Sequence, residues 1–179
     1  MTTLTAFVVL VVLVALERLA EMVVSTRNAA WSLARGGRET GRRHYPVMVV
    51  LHTGLLLAMV LEAVVRRPDV APTLAWSMLA LVIAAQALRW WCIVTLGRRW
   101  NTRVIIVPDL PPIRTGPYRL FAHPNYVAVV VEGLALPLVH ASWITAVTFT
   151  VLNAALLAVR LRVEDAALAS LPTGRPADA

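Results

Sequence analysis

The sequence predicts an all-α integral membrane protein with about five transmembrane helices. Of its 179 residues, 59% are hydrophobic and only 15% are charged, and the mean hydropathy is +0.71. Soluble domains carry about a quarter charged residues, so this composition excludes an ordinary soluble domain. Five apolar segments approach or exceed the roughly 20 residues that a spanning helix needs. These predicted spans lie at about 4–24, 47–65, 73–96, 124–139 and 142–160.

The chain is interpreted as one domain over 1–179. Its first part consists of generic apolar spans, and its second part contains the sequence motifs. Residues 1–72 hold the first two spans, whose connection from Arg27 to Tyr45 is interpreted as an interfacial segment. Only His140-Ala141 separates the fourth span from the fifth, which predicts a tight helical hairpin. A helical end follows the fifth span. The last residues, 171–179, carry two prolines and a glycine and are expected to fray.

All seventeen basic residues are arginines, and their distribution predicts the orientation of the chain. Thirteen lie in the first and third connections and at or beyond the end of the fifth span; the second connection has two and the fourth has none. The positive-inside rule makes the N-terminus external, and the loop at 97–123 and the C-terminus cytoplasmic. Arginine without lysine is typical of a GC-rich genome. This topology also accounts for the pI of about 11.2, so no nucleic-acid partner is expected.

The longest polar interruption runs from Gly97 to Tyr126 and is predicted to be a catalytic loop. A stretch of this length without regular structure is usually functional or disordered. Its Trp100, Tyr118 and Phe121, with several aliphatic residues, are too apolar for a solvated tail. The sequence therefore predicts a folded lid over a site.

Several polar residues lie within the predicted spans, where charge is costly and marks candidate functional positions. They are Glu17, Arg18, Glu21, Arg89, Trp90 and Glu132. Mutual ion pairing and snorkelling explain Arg18 and Arg89 as well as a functional role does. Glu132 lies deeper in its helix, which favours a partner or a ligand. Arg89, Trp90 and Glu132 are therefore candidate substrate-binding residues.

The remaining polar residues indicate no metal site. Glu62 and Asp69 lie near the predicted external face and are expected to be solvated. Cys92 is the one cysteine and lies in an apolar run, so it is expected to act as a buried hydrophobic residue. No HExxH motif, cysteine pair or carboxylate cluster with metal-ligand spacing occurs, so no metal is expected.

Two motifs at the predicted cytoplasmic side carry candidate chemistry. The first joins Gly116-Pro117-Tyr118 to His123-Pro124-Asn125-Tyr126, where Pro124 marks a helix N-terminus that favours an anionic group. The second is RLRVED at 160–165, in which Arg160 and Glu164 project from one helix face. Together they offer a cation, a carboxylate, an imidazole and aromatic rings beside lipid. This set suits a zwitterionic cofactor and an amphiphilic substrate.

The run GPYRLFAHPNY, then an apolar hairpin, then RLRVED resembles the isoprenylcysteine carboxyl methyltransferase family of integral membrane enzymes. Leu88-Arg89-Trp90 and LGRRWN at 96–101 are similar to the bacterial branch, and the resemblance covers about 90–165. It implies a bacterial plasma membrane as the location. It implies S-adenosylmethionine as the cofactor. It also implies a lipophilic small-molecule or prenylated acceptor that enters from the bilayer, with membrane lipids as surroundings.

The resemblance also implies roles for the motif residues. Those placed around the cofactor are Tyr118, His123, Pro124, Asn125, Tyr126 and Glu164. Arg160 and Glu164 are the candidate catalytic residues. Arg160 is also a candidate substrate-binding residue, placed near the acceptor or near the cofactor's carboxylate. Aromatic faces can hold a sulfonium cation, and a guanidinium can clamp a carboxylate through two donors.

Two positions depart from the family pattern. Ala122 stands where the family usually has arginine before His-Pro, so one cation near the cofactor is missing. Asp165 replaces the second glutamate of the RxxxEE pattern, which keeps the charge but shortens its reach. Both leave the cofactor interpretation intact and the acceptor class open.

The leading interpretation is O-methylation of an isoprenylcysteine-type carboxylate or of an acidic enol or phenol of a long-chain lipid. An acceptor that is already ionised needs positioning and exclusion of water rather than a strong base. The alternatives are a phospholipid N-methyltransferase and a non-enzymatic membrane protein that retains the fold. The clustering of the polar motifs at one membrane face favours the enzyme, and no oligomeric state is predicted.

Overall fold

The computed structural model describes residues 3–42, 44–108 and 110–169, so the expected fraying of 171–179 falls outside the described residues. Within these ranges the helices are α1 (Thr3–Leu33), α2 (His44–Arg66), α3 (Pro72–Leu96), α4 (Pro124–Leu138) and α5 (Trp143–Ala169). The other elements are strands β1 (Arg38–Thr40) and β2 (Val104–Ile106) and two 3₁₀ helices, Gly97–Arg99 and Gly116–Arg119. This mostly helical architecture confirms the predicted all-α class.

Three of the described helices are long and apolar enough to cross a membrane. They cover His44–Arg66, Pro72–Arg99 and Trp143–Ala169, the second including the 3₁₀ helix after α3. The apolar helix α4 has only 15 residues, which gives about 22 Å of helix against roughly 30 Å of hydrocarbon. The chain is thus a helical membrane protein, while five spans and the orientation stay predictions.

The first helix is longer than its predicted span. α1 continues to Leu33, so the predicted interfacial segment begins as helix, and its place at the membrane interface stays a prediction. The physical reason is that this end of α1 buries polar side chains against the long loop. Asn28 donates to the carbonyl oxygen of Trp100 at 2.8 Å, and the Ser25 hydroxyl donates to Asn101 at 2.9 Å.

The long loop is folded, as predicted, and it contains regular structure of its own. Strand β2 pairs antiparallel with β1, with Arg38 opposite Ile106 and Thr40 opposite Val104. Trp100 is only 2% exposed. The small sheet ties the two arginine-rich connections together at one end of the helix bundle.

The short helix α4 packs against both α3 and α5. Gly133 permits the close approach to α5, since a Cβ at this position would lie 2.1 Å from a ring carbon of Phe149. Phe149 belongs to a buried core with Phe7, Met59 and Leu136. Large apolar side chains outside the core, such as Val94 of α3, remain exposed, and a broad apolar exterior suits contact with lipid.

The expectation that Glu62 is solvated was wrong. Its side chain is buried, and its carboxylate accepts the backbone N–H groups of Ile144 at 3.1 Å and Thr145 at 2.8 Å. The Thr145 hydroxyl and Arg66 also donate to it, at 2.7 and 3.0 Å. The hairpin turn brings the unpaired amides at the start of α5 against α2, and a carboxylate there satisfies them. Asp69 is exposed, as expected.

Removing this cap should destabilise the bundle. We expect Glu62→Ala to lower the free energy of unfolding by about 1.5–3 kcal/mol, because charge-assisted hydrogen bonds are lost and buried amides are left unpaired. Thermal unfolding of the protein in detergent measures the effect. Asp69→Ala is the matched control and should leave the midpoint unchanged. Equal midpoints for the two variants would contradict the capping role.

Candidate active site

Two adjacent cavities lie at the end of the bundle that carries the long loop. The loop cavity, of about 260 Å³, is enclosed by that loop, the start of α4 and the end of α5. The bundle cavity, of about 170 Å³, lies among the helices and is lined mainly by apolar side chains. Both cavities have more apolar than polar lining, but the loop cavity has the larger polar share and the bundle cavity is the more apolar of the two.

Five residues line both cavities, and we call this set the junction. They are Trp100, Asn101, Asn125, Tyr126 and Arg160. They come from the long loop, the first turn of α4 and the later part of α5. Groups bound in the two cavities would meet at these side chains.

Arg160 is held at the junction by three different elements. Its Nε donates to the Tyr126 hydroxyl at 2.8 Å, and one terminal nitrogen donates to the carbonyl oxygen of Thr102 at 2.5 Å. The other terminal nitrogen points to the sulfur of Met48 at 2.8 Å. A thioether is a weak acceptor. In the described part of the chain Arg160 makes no salt bridge, so its charge is available to an anionic ligand.

The predicted cofactor residues His123, Tyr126 and Glu164 do meet in the structure. The Tyr126 hydroxyl donates to the Glu164 carboxylate while accepting from Arg160. The His123 ring stacks on the Tyr126 ring with centroids 5.5 Å apart. His123 Nε2 lies 3.1 Å from Asp165, and its Nδ1 lies 3.8 Å from Glu164. Asp165, which is shorter than the glutamate of the family pattern, is therefore a polar partner of the His123 ring.

Tyr118 also lines the loop cavity, with its phenol close to the Cys92 thiol. Burial raises the pKa of the Tyr118 phenol, so it stays protonated. Cys92 is fully buried, as expected. Pro124 is buried at the first turn of α4 and lines neither cavity. Its effect is to fix the start of the helix that presents Asn125 and Tyr126.

A buried ionic network joins α1, α3 and α4 beside the bundle cavity. Arg89 donates to both carboxylate oxygens of Glu21, at 2.6 and 2.5 Å. Arg18 donates to the same carboxylate at 2.8 and 2.7 Å and to Glu132 at 3.1 and 3.0 Å. Glu21, Arg89 and Glu132 are each less than one-tenth exposed. Charges in such surroundings are tolerated when they are paired.

Of the four predicted substrate-binding residues, Arg160 lies at the junction, and the other three are not all brought to one place. Arg89 and Glu132 line the bundle cavity, although the network already pairs their charges. Trp90 is 46% exposed, lines neither cavity, and donates its indole N–H to Glu17 at 2.5 Å. A role for Arg89, Glu132 or Trp90 in substrate binding stays a prediction.

Sequence reasoning missed two polar side chains of the cavity walls. Trp100 and Asn153 are each 2% exposed, and the indole N–H and the amide Oδ1 have no hydrogen-bond partner among the described residues. Asn153 had a detectable signal, because it is an amide in the middle of the apolar fifth span. Trp100 had none, because a tryptophan in an interfacial loop is ordinary.

Comparison with known proteins gives a family match in the second half of the chain and two relatives that align with most of its length. Residues 78–170 match the sequence model of the isoprenylcysteine carboxyl methyltransferase (ICMT) family. The chain is 34% identical over 163 residues to the uncharacterized protein YpbQ of Bacillus subtilis (strain 168), covering 90% of this chain and 96% of that protein. An uncharacterized protein of Haemophilus influenzae is 25% identical over 155 residues, covering 86% and 90% respectively. No solved structure gives a significant match.

The ionic network should be a main support of the fold. We expect Arg89→Met to lower the free energy of unfolding by about 3 kcal/mol or more, since it removes one partner of a buried pair. Adding Glu21→Gln should recover part of the lost free energy of unfolding. It removes one of the buried negative charges that Arg89→Met leaves in excess. Unfolding in mixed detergent micelles measures both.

The matched control for this prediction is Arg42→Met. Arg42 is paired with Glu39 through an exposed guanidinium, and surface pairs contribute little. If Arg42→Met and Arg89→Met lowered the free energy of unfolding by similar amounts, the buried network would contribute no more to stability than a surface ion pair.

Proposed function

Because the chain belongs to the isoprenylcysteine carboxyl methyltransferase family, we propose that it is an S-adenosylmethionine-dependent O-methyltransferase of a lipophilic acceptor. The family itself indicates a membrane methyltransferase. The finer assignment places the reaction at the cytoplasmic face of a bacterial plasma membrane, within one domain whose N-terminus is external. The arginine distribution supports that orientation.

The observation that carries the proposal is the junction. The loop cavity, which has the larger polar share, and the more apolar bundle cavity share Tyr126 and Arg160. A transferase with one water-soluble and one lipid-soluble reactant needs two such compartments with a common wall. A non-enzymatic protein that merely retained the fold has no need of an unpaired cation at the common wall.

The residues of the loop cavity fit S-adenosylmethionine chemically. When bound, this cofactor supplies an electrophilic methyl group on a sulfonium, together with an amino group and a carboxylate. Glu164 offers a carboxylate for the amino group, and the faces of Tyr118 and Tyr126 suit a cation without hydrogen-bond donors. His123 and Asn125 complete the set of polar groups that would hold it. Ala122, which stands where the family pattern usually has arginine, lines this cavity.

The chain's own contribution to the reaction is alignment and exclusion of water. Methyl transfer to an ionised oxygen is an in-line displacement, so positioning lowers the barrier without a proton-transfer step. Arg160 holds the anionic oxygen of the acceptor through the terminal nitrogen that now faces only the Met48 sulfur. The Trp100 indole N–H is a second donor at the junction, without a partner among the described residues. Tyr126 keeps Arg160 and Glu164 apart by bonding to both.

The acceptor classes that fit are an isoprenylcysteine-type carboxylate and an acidic enol or phenol of a long-chain lipid. Each brings an anionic oxygen to Arg160 and an apolar tail to the bundle cavity. The alternative, N-methylation of a phospholipid amine, would gain nothing from a cation beside a neutral nucleophile. It would also lose rate as the pH falls below the pKa of the amine. A rate that stays flat through neutral and mildly alkaline pH supports an acceptor that is already an anion.

The cofactor assignment is tested by binding. We expect the protein in detergent to bind S-adenosylhomocysteine, and Glu164→Ala and His123→Ala each to weaken the affinity at least about tenfold, which corresponds to one charge-assisted hydrogen bond. Isothermal titration calorimetry measures the affinity. Cys92→Ala is the control and should bind like the parent. If the parent protein bound no S-adenosylhomocysteine, the proposed activity would be wrong.

The role of Arg160 is tested by separating affinity from turnover. Arg160→Lys keeps the charge but loses the planar donor fork. We expect turnover to fall about 10–150-fold, the equivalent of roughly 1.5–3 kcal/mol, while affinity for S-adenosylhomocysteine changes little. Methyl transfer from radiolabelled S-adenosylmethionine to membrane lipids measures turnover. A parallel loss of affinity and turnover would instead assign Arg160 to the carboxylate of the cofactor.

A further inference from the structure

The end of α1 lies outside the segment that matches the family, yet it contacts the wall of the candidate active site. The matched segment begins at residue 78, whereas α1 covers Thr3–Leu33. The side chain of Ser25 on this helix is only 4% exposed and bonds to two residues of the long loop. One of them, Asn101, lines both cavities, and the other, Thr102, lines the bundle cavity.

The hydrogen bonds around Ser25 can each be given a direction. The backbone N–H of Arg103 can only donate, and it lies 3.0 Å from Asn101 Oδ1, so this atom is the amide oxygen rather than the nitrogen. The Ser25 hydroxyl therefore donates its one hydrogen to Oδ1, at 2.9 Å. Its oxygen accepts the backbone N–H of Thr102 at 3.0 Å and the Thr102 hydroxyl at 2.7 Å. Ser25 thus uses its full hydrogen-bonding capacity on the loop.

One peptide group connects this cluster to Arg160. The group that joins Thr102 to Arg103 has its N–H on Asn101 Oδ1, at 3.0 Å, and its carbonyl oxygen on a terminal nitrogen of Arg160, at 2.5 Å. A trans peptide group is planar, and its N–H and C=O point in opposite directions. Fixing the N–H therefore fixes the direction of the carbonyl. Because Ser25 holds the Asn101 oxygen, it orients the acceptor that holds the guanidinium.

The Thr102 carbonyl is the main restraint on the donor fork of Arg160. The other terminal nitrogen faces the sulfur of Met48, which is a weak acceptor. The Tyr126 hydroxyl bonds to Nε rather than to a terminal nitrogen. A long arginine side chain loses much conformational entropy when it is fixed in one rotamer. Its terminal nitrogens therefore keep one direction only while a good acceptor holds them.

We propose that Ser25 is a positioning residue of the active site, which acts through Asn101 and the Thr102–Arg103 peptide to aim the donor fork of Arg160. The inference rests on the proposed function, in which Arg160 holds the anionic oxygen of the acceptor. Ser25 lines neither cavity, so its effect on the reaction is indirect. It adds a residue of the first helix to a site whose candidate catalytic and cofactor residues all lie within 78–170.

A double-mutant cycle with Arg160→Lys tests the positioning role. We expect Ser25→Ala to lower turnover in the methyl-transfer assay about three- to tenfold, the range for neutral hydrogen bonds, with little change in affinity for S-adenosylhomocysteine. The Arg160→Lys protein has no donor fork to aim, so in that background Ser25→Ala should lower turnover less than about twofold. A role in stability alone would give the same factor in both backgrounds and would overturn the proposal.

Two further variants separate the hydroxyl from other effects. Ser25→Thr keeps the hydroxyl and should retain most of the turnover of the parent protein. Thr26→Ala is the matched control, because the exposed Thr26 hydroxyl donates to the carbonyl oxygen of Met22 within the same helix, at 2.8 Å. It should leave turnover and affinity unchanged. If Ser25→Thr bound S-adenosylhomocysteine like the parent yet lost as much turnover as Ser25→Ala, the role of the hydroxyl would be wrong.

A chemical probe reports on Arg160 without the reaction, so failure of this inference is distinguishable from failure of the proposed function. Phenylglyoxal modifies arginine side chains, and mass spectrometry of the modified peptides gives the rate at Arg160. If the parent protein methylates no lipid, the proposed function fails and this rate becomes the test. Ser25→Ala should speed the modification of Arg160, because the guanidinium is held less firmly, and Thr26→Ala should not. An unchanged rate in Ser25→Ala would overturn the positioning role alone.

Discussion

The pairing of Arg89 with Glu21 is the interaction on which the rest of the structure depends. Both side chains are buried in the helix bundle, where an unpaired charge is costly. The pair fixes the rotation of α1 relative to α3, and Arg18 extends the connection to Glu132 on α4. Because α4 is short, this lateral connection, together with close packing at Gly133, holds it in place. The same charged side chains form one wall of the bundle cavity.

The position of α4 in turn decides where the two cavities meet. Pro124 starts the helix directly under the loop, so Asn125 and Tyr126 occupy its first turn and face both compartments. Tyr126 then bonds to both Arg160 and Glu164, which lie one turn apart on α5. The charged groups of α5 are thereby oriented by a residue of α4 rather than by each other. A shift of α4 would change both cavities together.

Local patterns accounted for most of the architecture and for the motif residues. Hydropathy located all five helices, and the arginine distribution grouped the two connections that the β1–β2 pairing joins. The same reasoning erred at Glu62 and at the end of α1. A glutamate near a helix end looks solvated unless the amides of another helix lie against it, and Asn28 looks like a loop residue unless the loop packs against it.

The sequence by itself determined the helices, the family and the identity of His123, Tyr126, Arg160 and Glu164 as a set, because hydropathy and short motifs are local properties. Only the tertiary structure decided the partners. The contacts of Arg89 with Glu21, of Arg18 with Glu132 and of Arg160 with Thr102 cross 68, 114 and 58 positions of the chain. No pattern along the chain encodes which of several buried charges will meet. Helix packing selects those pairs, and it also leaves the Asn153 amide oxygen without a hydrogen-bond partner among the described residues.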